Sequence, residues 1–125
     1  MTRTRHSLTS AERKQFPVHR GFSKYFPDAM MLVSCLSMRA DQKHSPDADP
    51  TDSDRPQWVR DKSSDHGDCL ERHNADVGTM DPMLGLDYYI HTAWRAMAQL
   101  QEAAEEYGYD ELVDWDWTPP KDLSQ

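Results

Sequence analysis

Within Ser63-Ser64-Asp65-His66-Gly67-Asp68-Cys69-Leu70-Glu71-Arg72-His73 the chain gathers two imidazoles, a thiol, three carboxylates and a guanidinium. On a helix, His66, Cys69 and His73 share one face, because residues three and four apart are neighbours there. Zinc accepts that ligand set, but it needs a fourth ligand or an open water position, and no CxxC knuckle or HExxH helix accompanies it. Asp65 and Asp68 with Arg72 form an overlapping face, suited to magnesium or to an ion pair. Ser63 and Ser64 are good N-cap residues, so the stretch is best read as the start of a helix whose free N–H groups meet an anion.

Other residues fit phosphate chemistry better than metal chemistry. Lys43, His44, Arg60, Lys62, Arg72, His73 and Arg95 are cations flanking one loop and two helices, and Trp58, Tyr88 and Trp94 are rings able to stack on a base. No glycine-rich phosphate loop, G-x-S-x-G elbow or kinase signature occurs. Cys69, next to apolar Leu70, reads as a packing residue before a nucleophile.

Three helices must position these groups. Pro27 suits a first helical position and Asp28 complements the dipole; Ala29, Leu32, Val33 and Leu36 then make a stripe, thickened by Met30, Met31 and Met38, so a helix is predicted over about 27–39. From Asp41 to Gln57, Pro46, Pro50 and Pro56 stand among four aspartates, a composition that reads as a long loop with Trp58 as its anchor. A second helix is predicted from Ser63-Ser64 to about Asp76, then a turn over 77–82, then a third helix from about 84–87. In that third helix Leu86, Ile90, Ala93, Met97, Leu100, Ala104 and Tyr107 alternate steps of four and three, the mark of a seam facing another helix, and Gly108 suits its C-cap. The expected fold is therefore all-α, a small bundle of about three main helices with a long Pro/Asp-rich loop. A basic arm (1–26) precedes the helical domain (27–107), and an acidic tail with Trp115 and Trp117 (108–125) follows it.

Composition limits what this bundle can be. At 125 residues, 37% hydrophobic and a mean hydropathy of −0.91, apolar material for a core is scarce, so completion by homo-oligomerisation is expected. The net charge is −8, yet six of the fourteen Lys and Arg residues fall within the first 24 positions against Glu12 alone. The rest is strongly acidic. That excludes a broad duplex nucleic-acid footprint, which needs a continuous cationic face, while a small phosphate ligand needs only a few cations. Two cysteines make no disulfide framework and no run is long and apolar enough for a membrane span, so a cytoplasmic chain is expected.

The order Phe26-Pro27-Asp28-Ala29, then Lys43-His44 with Pro46, then Trp58, Arg60, Lys62-Ser63, Asp65-His66, Asp68-Cys69-Leu70 and Arg72-His73, then Gly78-Thr79, Asp81 and Gly85-Leu86, then His91, Ala93-Trp94-Arg95-Ala96, Ala98 and Leu100-Gln101 resembles a known family. It is that of the phage and prophage proteins described as dATP/dGTP diphosphohydrolase N-terminal domains, and the likeness runs over about 26–106. The resemblance implies a helical domain handling purine deoxynucleotides in the host cytoplasm. Its ligand and catalytic positions would be Lys43, His44, Trp58, Arg60, Lys62, Asp65, Arg72, His73, Asp81, His91 and Arg95. In an active diphosphohydrolase, Asp65, Asp68 and Asp81 would hold Mg2+, His73 or His66 would act on the water, and Lys62, Arg72 and Arg95 would take the phosphates. Where the family has an acidic pair and a later glutamate, this chain has Gly78, Thr79 and Met83; a family histidine is Tyr88. Two alternatives stand beside the enzyme: a non-catalytic sponge that sequesters a purine or cyclic nucleotide, and an adaptor that uses the acidic Trp tail.

Overall fold

A computed structural model describes residues 2–49, 51–52, 58 and 65–121. The fold is all-α, with one short hairpin between its last two long helices. In chain order it runs α1 (Ser10–Lys14), a π-helical turn (His19–Ser23), α2 (Pro27–His44), α3 (His66–Ala75), β1 (Met80–Asp81), β2 (Leu86–Asp87), α4 (Tyr88–Tyr107) and α5 (Tyr109–Leu112). No helix among the described residues is long and apolar enough to cross a membrane.

Helix α2 starts where expected, with Pro27 in its first turn beside Asp28, but runs five residues past Arg39 to His44. Ala40, Gln42 and Lys43 are good helix formers, and Lys43 and His44 complement the negative end of the dipole. The helix stops one residue short of Pro46. Helix α3 begins at His66 with Asp65 as its N-cap, and Ser63 and Ser64, the sequence-based caps, lie outside the described residues.

The turn expected over 77–82 follows α3 at 76–78 and leads into a hairpin, β1–turn–β2, over 80–87. Met80 pairs with Asp87 and Asp81 with Leu86, antiparallel. Gly85, at φ +67°, donates its N–H to the Asp81 carbonyl at 2.7 Å, and Arg39 Nη1 donates to the carbonyls of Leu84 (2.9 Å) and Gly85 (3.0 Å). One side chain then joins hairpin to helix: Asp87 Oδ1 caps α4 by accepting from Tyr89 N at 2.8 Å and also accepts from Gly78 N at 3.1 Å. A two-residue ladder has too short a period to be read from sequence.

Helix α4 is the spine. Its main partner is α3, its second α2, where Trp94 Nε1 donates to Ser37 Oγ at 3.0 Å. Among the described residues the core is thin: Leu36, Cys69 and Ala98 on these helices and Leu86 on the hairpin are its buried apolar side chains. His66 and Asp81 are buried with them. Among the α4 side chains that meet α3 are Tyr88, His91, Arg95 and Glu102, which share one face. At 100° per residue, the seam of Met97, Leu100, Ala104 and Tyr107 lies about half a turn away from that face. The helix therefore packs on α3 through its polar and aromatic side.

The arm and the tail meet each other. Thr9 and Glu12 form a capping box on α1, Leu8 is buried, and Arg3 reaches Glu12 at 3.2 Å and Asp110 at 2.9 Å. Arg3 also lies 4.8 Å from the Trp115 ring, whose edge meets Phe16 at 5.9 Å, and Tyr109 N donates to the Arg3 carbonyl at 2.7 Å. Trp115 Nε1 donates to Asp110. Trp115 thus docks on the arm.

Candidate functional site

The helical spacing that suggested zinc makes the packing face of α3. His66 and Cys69 are buried and His73 is half-buried, all against α4. His66, 3% exposed, accepts from Arg95 Nη1 at Nδ1 (2.9 Å) and meets Glu102 Oε1 from Nε2 (3.1 Å). A guanidinium can only donate, so Nδ1 is the acceptor and the Nε2–H points at the carboxylate. The imidazole is walled by Trp58 at 5.8 Å and Trp94 at 6.0 Å, which meet edge-on at 5.2 Å. A carboxylate, a buried ring and a guanidinium thus form one relay, and the relay fixes where Arg95 can point.

Two turns along α3 lies a second cluster. His73 stacks on Tyr88 (5.4 Å, 23°) and lies 4.9 Å from His91, which is 5.1 Å from Tyr88. Beneath them the buried Asp81 accepts from Met83 N at 2.8 Å through Oδ1, and its Oδ2 lies 3.0 Å from His91 Nε2. That is ion-pair distance.

The electrostatics of this cluster are one-sided. Burial pushes His73 below the ordinary imidazole value of 6.5, and His91, Arg95 and Arg72 push it the same way against Asp81 alone. Burial likewise lowers His91; Asp81 opposes this and Arg95 adds to it. Four basic groups therefore act on one another at the α3–α4 junction of a chain whose net charge is −8. Such a place favours an anion, which would relieve the mutual repulsion and let the imidazoles take up protons.

A pH dependence follows from the same shifts. Both imidazoles have folded values below the unfolded one, so the unfolded chain binds more protons as pH drops. Their stabilising contribution is complete above about pH 6.5 and is lost on acidification through that value toward the folded ones. Urea unfolding between about pH 7.5 and 5.5 should show stability falling, with a shallower slope in His73→Gln. An equal slope in the variant would remove His73 from this role.

The structure gathers some of the sequence-predicted site residues and separates others. His73, His91, Arg95, Arg72 and Asp81 belong to the junction, and Trp58 walls the adjoining relay. Arg72 is largely exposed, with Nη2 3.0 Å from Cys69 Sγ and 3.8 Å from Asp65. Lys43 and His44 lie exposed on the last turn of α2, in a helix where the sequence suggested a loop. Arg60 and Lys62 lie outside the described residues. Asp65 and Asp68 are exposed at the start of α3, while Asp81 is buried beside His91 near the other end. Among the described residues no three His, Cys, Asp or Glu side chains gather as metal ligands. Sequence reasoning missed Glu102. The signal was available, since Glu102 follows Arg95 by two helical turns on the same face.

The chain matches no family model, no curated protein and no solved structure.

Proposed function

We propose that the protein binds a purine nucleotide at the α3–α4 junction, with Arg72 and Arg95 on the phosphates, His73 and His91 completing the anion site, and the Tyr88–His73 stack beside the base. The observation that carries this reading is the convergence of those four basic side chains at the junction, where Asp81 is the acid that opposes them at His73 and His91. The sequence of motifs between Phe26 and Glu106 that resembles the dATP/dGTP diphosphohydrolase domains supports the same ligand class. Sequestration is favoured over Mg2+-dependent release of pyrophosphate by the placement of the carboxylates. Asp65 and Asp68 stand apart from Asp81, whose oxygens already face Met83 N and His91, and metal-assisted phosphoryl chemistry draws on converging acids.

The test is thermal melting with dATP, dGTP and cyclic purine dinucleotides, each with Mg2+ or with EDTA, followed by analysis of the nucleotide. A ligand bound only by the native state raises its stability by RT ln(1 + [L]/Kd), about 2.7 kcal/mol at a hundredfold excess over Kd. At least one purine nucleotide should raise the melting temperature in EDTA and be recovered intact. Loss of one charge-assisted contact in Arg72→Ala should weaken it about tenfold, or ~1.4 kcal/mol. Conversion to monophosphate and pyrophosphate only with Mg2+ would replace sequestration by catalysis. Indifference of the melt to every nucleotide would overturn the reading.

A further inference from the structure

The hydrogen bonds around His66 run in one direction, and that direction is set from the Arg95 end. A guanidinium only donates, so Arg95 obliges Nδ1 to accept (2.9 Å), and an imidazole that accepts at Nδ1 carries its proton on Nε2. Whatever faces Nε2 must then be an acceptor, which Glu102 Oε1 supplies at 3.1 Å. A donor at position 102 would break the chain of bonds.

The ring has little freedom to answer in another way. His66 is almost fully buried, with Trp58 and Trp94 against it at 5.8 and 6.0 Å. Arg95 in turn has its guanidinium carbon 5.3 Å from the Trp94 ring, so the cation is held by an aromatic ring and an imidazole nitrogen together. From that place it acts on both His73 and His91. Glu102 stands about two helical turns further along α4, and among the described residues its hydrogen-bond partner is His66.

Holding a long side chain still has a consequence for binding. A guanidinium that is loose in the free protein gives up rotamer freedom when an anion orders it, which weakens binding about two- to twelvefold relative to one already in place. The outermost acceptor of the relay therefore bears on the affinity of a site that it does not touch.

We infer that Glu102 is a positioning residue of the α3–α4 anion site: by accepting from His66 it keeps Nδ1 turned to Arg95 and so holds the guanidinium ready for phosphate. This rests on the nucleotide reading of that junction. The test compares two neutral variants, so that loss of the carboxylate charge is common to both. Glu102→Gln keeps an oxygen able to accept from Nε2–H, and Glu102→Ala does not. Both residues are good helix formers at a partly exposed position of α4, so both variants should fold. Calorimetric titration in EDTA is run with dATP, dGTP and cyclic purine dinucleotides. For whichever binds the wild-type chain, Glu102→Ala should bind about fivefold more weakly than Glu102→Gln. In an Arg95→Ala background the two should bind alike, because the cation that Glu102 positions is gone. Equal affinity of Glu102→Ala and Glu102→Gln, beside a wild-type chain that binds, overturns this inference alone. So does a difference that keeps its full size without Arg95. If none of these nucleotides binds the wild-type chain, this inference and the nucleotide reading both fall.

Discussion

His66→Ala is expected to destabilise the fold by about 3 kcal/mol, a large share of the 5–15 kcal/mol that holds a domain of this size. The imidazole is among the most buried side chains described, and two tryptophan rings pack against it. Alanine would leave a cavity between Trp58 and Trp94 that a thin core cannot close by collapse. It would also take a hydrogen-bond partner from both Arg95 and Glu102, which adds to the cost. His66→Gln, which keeps volume and one donor and acceptor, should recover about half of the loss. Urea denaturation measures both. A change below about 1 kcal/mol for the alanine variant would show that the relay is not structural.

The second large effect is expected at Gly108, which joins α4 to α5 at φ +80°. A side chain there is strained by the backbone conformation alone, at roughly 1–3 kcal/mol, because a positive φ with ψ 171° is a region essentially confined to glycine. It would also overlap Thr2 Cγ2 and lie 3.0 Å from the Arg3 carbonyl, the group that accepts from Tyr109 N. Gly108→Ala should therefore cost about 2–3 kcal/mol and release the arm, so that trypsin cleaves at Arg5, Arg13 and Lys14, whose side chains are already exposed, before the helices unfold. Gly67→Ala is the contrast. Its added carbon would make an ordinary 3.6 Å contact with Gln99, and in α3 it should stabilise by about 0.5–1 kcal/mol. Equal behaviour of the two substitutions, or unchanged trypsin cleavage in Gly108→Ala, would contradict the docking of arm on tail.

Much of the helical framework is legible in the residues because local chemistry sets it. Pro27 with Asp28 marks the start of α2, Gly108 marks the end of α4, and the apolar spacing between Leu86 and Tyr107 marks α4 as a helix. The direction in which that helix packs is less legible. Its strongest stripe is apolar, yet its closest partner is met by Tyr88, His91, Arg95 and Glu102, since α3 brings histidines and a cysteine to the contact. Tertiary pairing of polar groups carries no period of its own. For the same reason the His66–Cys69–His73 face, which has metal-ligand spacing, serves as a packing surface whose polar atoms are met by Arg95 and Glu102. The arm shows another limit. Arg3 and Asp110 are 107 positions apart, and only the folded chain reveals that opposite charges at its two ends are partners.

The same distinction applies to the candidate site. Arg72, His73, His91 and Arg95 are visible as basic residues at suggestive positions, but their convergence depends on the register of α3 against α4. Asp65, Asp68 and Asp81 look equivalent in one dimension, and the hairpin after α3 carries Asp81 away from the other two.

The most direct measurement of the central claim is a histidine-selective NMR titration of the full chain with dGTP in EDTA, repeated across pH. The chain has six histidines. Nucleotide should move the His73 and His91 ring signals and raise both titration midpoints toward or above the ordinary imidazole value, because a bound phosphate favours their protonated forms. His6, His19 and His44 should stay where they are. Saturating purine nucleotide that leaves His73 and His91 unmoved would contradict an anion site at the α3–α4 junction.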